Sequence, residues 1–132
     1  MKLITRDTDY AVRALCHIAC QNERIVSVSE LVRKLKIPRP FLRKILQALN
    51  KFGILKSYKG SGGGFLLAKP AGKIYLTDLM SIFQGVLEIN ECIFKKRICP
   101  NRGICVLRGK INLIQKRVLS ELNSINIASL LK

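Results

Sequence analysis

The chain has 132 residues and a net charge of +16, from 24 lysines and arginines against eight acidic side chains. Its apolar fraction of 48% excludes a disordered tail and suffices for one domain with a buried core. No apolar run approaches the about 20 residues that span a bilayer. Charged residues interrupt the N-terminus where a signal peptide is apolar, so we expect a cytoplasmic protein with no membrane partner.

The excess of positive charge favours a polyanionic partner, because long-range attraction and counterion release both grow with it. Residues 1–60 carry thirteen basic and four acidic side chains, and residues 91–132 carry nine and two. Ribosomal proteins share such a composition, so the charge alone does not identify DNA as the partner.

Two helices are predicted first along the chain. Residues 8–20 place apolar side chains near helical spacing, with Thr8 as the expected cap. Ser27 and Glu30 stand three apart before an apolar run, which is the capping-box signature of a second helix. This helix should end by Ile37, because the residue before a proline is disfavoured in the α region.

A third helix is predicted from Arg39 and Pro40, since proline suits a first helical turn, to the natural stop at Gly53. Two short helices joined by a tight turn form a helix-turn-helix, whose second helix enters the major groove of DNA. The predicted buried stripe of the third helix comprises Phe41, Leu42, Ile45, Leu46, Leu49 and Phe52.

A β-hairpin is predicted next, with strands at residues 54–59 and 65–69 and a glycine-rich turn at residues 60–64. A hairpin after a helix-turn-helix is the wing of a winged helix. The glycines do not lead into a GK[ST] sequence or a helix, which disfavours a nucleotide-binding loop.

The C-terminal part is predicted to hold a helix capped by Thr77, a cysteine-rich loop and a long amphipathic helix. The broad apolar face of the last helix indicates dimerisation, and the alternative is that it packs on its own domain. The predicted fold is mainly α with a small β-hairpin wing. We expect residues 1–76 to form the winged helix-turn-helix, residues 77–108 the helix and the cysteine-rich loop, and residues 109–132 the dimerisation helix and tail.

The candidate DNA-contacting residues surround the predicted turn, where the chain carries six basic residues and no acidic one between positions 33 and 44. Arg39 and Arg43 share a helical face, and arginine reads guanine with two hydrogen bonds. Lysines there are better placed for phosphates. The alternative is a solvated basic face. The full predicted set is Arg33, Lys36, Arg39, Pro40, Arg43 and Lys44, with Lys56, Lys59 and Ser61 on the wing.

The five cysteines fall into two groups. Cys16 and Cys20 lie four apart on the first helix, next to His17, and are predicted to pack as small apolar side chains. His17 is predicted at a surface or interface position. Cys92, Cys99 and Cys105 are separated by six and five residues in a basic loop. An odd count in a reducing compartment disfavours a disulfide framework.

The three clustered thiols predict a metal site. Neighbouring positive charge favours the thiolate, which binds soft metals. The spacing is wider than in zinc knuckles, whereas iron–sulfur clusters accept thiolates from wide loops and an occasional non-cysteine ligand. The residues therefore favour an iron–sulfur cluster over zinc, with a bare thiol sensor behind both.

The whole pattern resembles the IscR/NsrR-like family of bacterial winged-helix transcription regulators. The resemblance rests on "TDYAVRAL", "IPRPFLRKILQAL", "GSGGGFLLA", "LTDL" and the three-cysteine loop. It implies a homodimer on a pseudo-palindromic operator, with an iron–sulfur cluster held by Cys92, Cys99 and Cys105 in each subunit. A 4Fe–4S cluster is favoured, and 2Fe–2S is the alternative.

The fourth cluster ligand departs from one branch of that family. In the iron–sulfur-assembly branch a histidine closely follows the third cysteine, whereas here "CVLRGK" offers none. In the nitric-oxide-sensing branch an aspartate of the other subunit completes the site. The resemblance therefore makes Asp9 the candidate ligand across the dimer, with Asp7 a weaker candidate. The alternative is that Asp9 only favours the helix dipole.

The expected function is a DNA-binding regulator, a repressor, whose affinity follows a cluster sensing nitric oxide, redox state or iron–sulfur status. The alternative is a winged-helix regulator without a cluster that uses the three cysteines for zinc or thiol-oxidation sensing. A thiol redox enzyme is disfavoured, because the chain has no C-x-x-C pair and no parallel βαβ pattern.

Overall fold

The computed structural model describes residues 2–85 and 106–131. Its elements in chain order are α1 (Arg6–Ala19), α2 (Val28–Leu35), α3 (Arg39–Lys51), β1 (Leu55–Tyr58), β2 (Gly64–Leu67), α4 (Leu76–Phe83), α5 (Val106–Asn123) and α6 (Ile127–Leu130). A 3-10 turn, Ala71–Lys73, joins β2 to α4. This is the predicted class, mainly α with one small hairpin.

The centre of the core is α1, which packs against α2, α3, α4, α6 and β2. Its buried face consists of Ala11, Ala14, Leu15 and Ile18, at the three- and four-residue spacing of one helical face. The two alanines let neighbouring elements approach closely, and Leu15 is fully buried. A change in the position of α1 therefore affects every other element of the core.

The buried stripe of α3 is narrower than the sequence predicts. Leu42, Ile45, Leu46 and Leu49 are buried, as expected. The prediction is wrong for Phe41 and Phe52, which are 41% and 55% exposed. Phe41 lies beside the stripe, about 90° around the helix from its centre, and Phe52 follows the last residue of α3.

The helix caps confirm one prediction and correct another. The cap of α1 is Thr5, whose Oγ1 accepts from the backbone N–H of Thr8 at 3.4 Å, so the prediction of Thr8 as the cap is wrong. Thr8 lies inside the helix and is fully buried. At α2, Ser27 Oγ accepts from the backbone N–H of Glu30 at 3.1 Å, as predicted. The helix ends where expected, with Lys36 at a left-handed φ of 56°.

The predicted wing is an antiparallel hairpin in which Leu55 pairs with Leu67 and Tyr58 with Gly64. Its second strand is also fixed to the segment before α2, because Val26 and Phe65 exchange backbone hydrogen bonds of 3.0 and 2.9 Å. A Cβ at Gly64 would collide with the carbonyl oxygen of Val26, so only glycine fits there. The base of the wing is thereby attached to the helix-turn-helix.

A second, smaller apolar cluster joins α4 to α5, whereas α6 belongs to the main core. Leu122 of α5 is buried with Leu76 and Met80, and α6 packs on α1. The cap predicted at Thr77 is wrong: α4 begins one residue earlier, and Asp78 Oδ2 accepts from the backbone N–H of Tyr75 at 3.2 Å. Within the two described ranges, no helix is long and apolar enough to cross a bilayer.

A network around Gln84 ties the start of α1 to the end of α4. Gln84 Oε1 accepts from the Thr8 hydroxyl at 2.7 Å and from the Thr5 backbone N–H at 3.1 Å. Its Nε2 donates to the carbonyl oxygen of Leu3 at 2.9 Å. These partners are 76 to 81 residues from Gln84 in sequence. The network satisfies the fully buried Thr8 hydroxyl and holds the N-terminus against α4.

Replacing Gln84 with leucine should lower the free energy of unfolding by about 1–3 kcal/mol, because Thr8 and Thr5 lose their acceptor in a partly buried site. Thr8→Val should cost less, about 1 kcal/mol, because Gln84 keeps the Thr5 contact. Urea unfolding measures both, with Gln47→Leu on the exposed face of α3 as the matched control. A Gln84→Leu protein as stable as that control would contradict this role.

A second polar cluster joins α1 to α2. The Glu30 carboxylate accepts from His17 Nε2 at 2.8 Å and from Arg24 Nη1 and Nη2 at 2.9 Å. His17, predicted at a surface or interface position, is therefore the link between the two helices. These bonds, first the one from Arg24 and then the one from His17, lower the pKa of Glu30 to about 2.

Stability should therefore fall as the pH drops from about 4.5, the ordinary value for glutamate, towards about 2. The depressed pKa means that the folded state favours the ionised carboxylate, so its contribution is complete above this window. Urea unfolding from pH 2 to 6 should show the difference between wild type and Glu30→Gln shrinking with acid. Glu23→Gln, at an exposed loop position, is the control. A difference independent of pH would contradict the assignment.

Candidate nucleic-acid interface and sensor residues

The outward face of α3 is the centre of the candidate interface. Burial of Leu42 and Leu46 on one side turns Pro40, Arg43 and Lys44 to the other, where all three are exposed. Pro40 occupies the first turn of the helix, where its missing N–H costs nothing. The face carries two cations and no acidic side chain in its first turns. It can approach a phosphate backbone and place side chains on base edges.

The remaining helix-turn-helix candidates lie on both sides of the turn between α2 and α3. Arg39 Nη2 donates to the hydroxyl of Ser29 at 3.0 Å, which fixes the start of α3 against α2. Arg33 is exposed near the end of α2, and Lys36 is exposed at its left-handed cap. Arg39 is therefore committed to a neighbour within the subunit, whereas Arg43 has no hydrogen-bond partner among the described residues.

The wing candidates are all exposed. Lys56 lies on β1, with its Nζ 5.7 Å from the centroid of the Tyr58 ring, while Lys59 and Ser61 lie in the glycine-rich turn. Gly60 and Gly62 of this turn have positive φ angles, a left-handed backbone conformation that residues with a Cβ disfavour. A hairpin of this kind can reach a DNA backbone beside the groove that holds α3.

Sequence reasoning missed three residues on or beside this surface. Gln47 is exposed one turn after Arg43 and Lys44, on the face opposite the core. The helical spacing from Arg43 would have found it. Phe41 is exposed at the head of α3, and Arg6 of α1 stacks on it with Cζ 4.7 Å from the ring centroid. No local pattern signals that pair, because 35 positions separate the residues.

The cysteine candidates Cys92, Cys99 and Cys105 lie outside the described residues. The structure does place Asp9, in the first turn of α1 with its side chain 45% exposed. Its Oδ2 accepts from Arg13 Nε at 2.9 Å. Across residues 2–85 and 106–131, no three histidine, cysteine or acidic side chains form a metal-binding group. A partly exposed carboxylate of this kind can supply one oxygen ligand to a metal bound by other residues.

The two cysteines of α1 differ in environment. Cys16 is half-buried and packs against the core, as predicted. Burial raises the pKa of its thiol, and the nearby Cys20 raises it further, so the unreactive neutral form is favoured. Cys20 is exposed at the end of α1, so the prediction that it packs is wrong.

Residues 4–132 match the Rrf2 family, described as an iron-dependent transcriptional regulator family. The chain belongs to this family. It is a transcriptional regulator of a DNA-binding class and not an enzyme, and the predicted resemblance to IscR-like regulators is confirmed.

Known relatives agree in sequence and in fold. Protein rrf2 of Nitratidesulfovibrio vulgaris is 29% identical over 133 residues, covering 100% of this chain and 88% of the relative. CymR, the global cysteine regulator of B. subtilis, superimposes with a TM-score of 0.78 at 20% identity, covering 98% of this chain and 96% of CymR. IscR of T. potens gives a TM-score of 0.75 at 23% identity, covering 98% and 85%. The predicted winged-helix fold is confirmed.

Proposed function

We propose that this protein is a homodimeric repressor that reads a pseudo-palindromic DNA operator and changes its affinity through an iron–sulfur cluster. The observation that carries the DNA part is the outward face of α3, where Pro40, Arg43 and Lys44 are exposed opposite a fully buried apolar face. The cluster part is supported by the family's description as iron-dependent and by the three-cysteine loop. We propose that the protein acts in the cytoplasm.

On DNA, the head of α3 enters the major groove and Arg43 reads a guanine. Lys36, Lys44 and Arg33 take phosphates on either side, which fixes the register without reading sequence. Arg39 holds α3 against α2 through Ser29 and reaches the DNA only by exchanging that bond. Lys56, Lys59 and Ser61 contact the backbone or minor groove from the wing.

The partner subunit is proposed to cover the first half of α5. Val106 and Leu107 are 74% and 69% exposed, and Leu113 and Ile114 are 48% and 47% exposed. The second half instead packs on its own subunit through Leu122. Apolar side chains concentrated on half of a helix favour a second copy of the same helix, since most soluble oligomers are symmetric. Residues 1–76, 77–108 and 109–132 then serve as reading head, sensor segment and dimer element.

The sensor site is proposed to use the thiolates of Cys92, Cys99 and Cys105, with Asp9 of the partner subunit as fourth ligand. A bound cluster, 4Fe–4S or 2Fe–2S, supplies iron that reacts with nitric oxide or oxidants. Arg13 Nε donates to one oxygen of the Asp9 carboxylate and so orients this side chain. Because Asp9 and Arg6 lie in the same turn of α1, ligation bears directly on the helix that supports α3.

A second candidate is a regulator that senses thiol oxidation or zinc without a cluster. It is supported by the fold shared with CymR, a global cysteine regulator, and by the fold match to an oxidised form of CymR from Staphylococcus aureus at a TM-score of 0.73. In this case the three cysteines react or bind zinc directly, and Asp9 has no ligand role.

Arg43→Ala should lower affinity for an operator selected from random duplexes by about 5- to 150-fold, the 1–3 kcal/mol of a bidentate base contact, and relax one base position. Lys59→Ala should weaken operator and random DNA alike and reduce the salt slope by about 1. Fluorescence anisotropy across a salt series measures both. Equal affinity of the wild type for operator and random duplex would refute specific readout.

Anaerobic purification should yield a brown protein with iron and sulfide, and Cys92→Ala should be colourless. Asp9→Ala should bind the cluster less stably, because one ligand is lost. Asp7→Ala removes a neighbouring carboxylate of the same turn and should leave cluster yield unchanged. Iron and sulfide analysis with visible spectroscopy gives the readout. Stoichiometric zinc in a colourless wild type would overturn the cluster, and unchanged yield in Asp9→Ala would overturn the fourth ligand.

A further inference from the structure

Arg6 and Phe41 form a contact that joins the first residue of α1 to the head of α3. The Arg6 guanidinium carbon lies 4.7 Å from the centroid of the Phe41 ring. Both side chains face solvent: that of Arg6 is 61% exposed, and Phe41 is 41% exposed. Stacking of this kind holds a guanidinium by its face, so the N–H donors in its plane stay available.

The donors of Arg6 are not committed elsewhere in the part of the chain that the structure describes. Its one ion-pair contact joins Nε to Asp7 Oδ1 at 4.0 Å, which is beyond hydrogen-bond distance. Phe41 is the third residue of α3 and directly follows Pro40. Arg6 is therefore a pre-oriented cation beside the head of the proposed recognition helix, although it belongs to another helix.

We propose that Arg6 binds a DNA phosphate at the edge of the half-site and that Phe41 is the positioning residue that holds it there. This rests on the proposed docking of α3. A phosphate is the partner that suits an exposed planar guanidinium with free donors, since it accepts two parallel N–H bonds. This role accounts for the exposure of Phe41, because its ring must reach the surface to support Arg6. Its position at the head of α3 then determines which DNA phosphate Arg6 contacts.

Loss of the Arg6 charge and loss of the Phe41 ring should have different effects on DNA binding. Arg6→Ala should reduce the slope of log affinity against log salt by about 0.9 for each half-site engaged, on operator and random duplex alike. Phe41→Leu keeps the charge and removes the ring. It should cost about two- to fivefold in affinity per half-site, the equivalent of an exposed cation–π contact, with little change in slope. The double variant should bind no more weakly than Arg6→Ala.

The test uses fluorescence anisotropy of the full-length protein on a random-sequence duplex of about three helical turns, from low to high salt. The matched control is Lys73→Ala, an exposed cation on the 3-10 turn that packs against α6. Circular dichroism checks that each variant is folded. Phe41→Leu retains an apolar side chain at a position already exposed, so it tests the pair without depending on Arg6→Ala.

A salt slope that falls in Arg6→Ala but not in Lys73→Ala supports the phosphate contact. If the affinity losses of Arg6→Ala and Phe41→Leu do not add in the double variant, the ring of Phe41 acts by positioning Arg6. An unchanged slope in Arg6→Ala overturns the phosphate contact. If the wild type itself shows no salt-dependent binding to duplex DNA, the proposed docking of α3 fails instead.

Discussion

Burial of one face of α3 determines which of its side chains face solvent. Leu42, Leu46 and Leu49 are fully excluded from solvent, and the helical repeat then determines where every other side chain of α3 points. Burying three leucines contributes several kcal/mol, roughly 1.5–3 for each side chain, so rotation of α3 is strongly disfavoured. Arg43 and Lys44 are presented outward because the leucines are held inward. The reading surface is thus a consequence of core packing.

The helix that supports α3 also carries the proposed sensor contact. Contacts of α1 reach α2, α3, α4, α6 and the hairpin, so α1 is in a position to couple distant parts of the chain. Its first turns hold Arg6, which lies beside the head of α3, and Asp9, the proposed cluster ligand. Gln84 fixes the same end of α1 to the last turn of α4. Because α1 packs against α3, we propose that a change at this end of α1 shifts the exposed face of α3.

Local patterns in the sequence predicted the parts of the fold that local physics determines. The Ser27 cap, the end of α2 before Pro38 and the wing all depend on neighbours within a few residues. The caps assigned to Thr8 and Thr77 were wrong because in each case the helix begins before the residue chosen. A threonine near a helix start does not show whether its hydroxyl caps the helix or, as in Thr8, reaches a partner 76 residues away.

In the candidate site, too, local sequence patterns do not reveal contacts between residues that are far apart in the chain. Arg43 and Lys44 follow from helical spacing, whereas the pairing of Arg6 with Phe41 needs the relative placement of α1 and α3. Phe41 was assigned to the core on its apolarity, but a stacked cation provides an alternative to burial at the surface. Arg39 is also exposed, yet its bond to Ser29 could be read only from the packed helices. Long-range pairs of this kind decide which exposed cations are available to DNA.

We propose that two copies of the α3 face bind DNA together as a symmetric dimer. Hydroxyl-radical footprinting of the anaerobically purified protein on a selected operator tests it most directly. For a symmetric dimer we expect two protected regions related by a two-fold axis, with centres about one helical turn, or a multiple of it, apart. A single protected region, or uniform protection along the duplex, would contradict it.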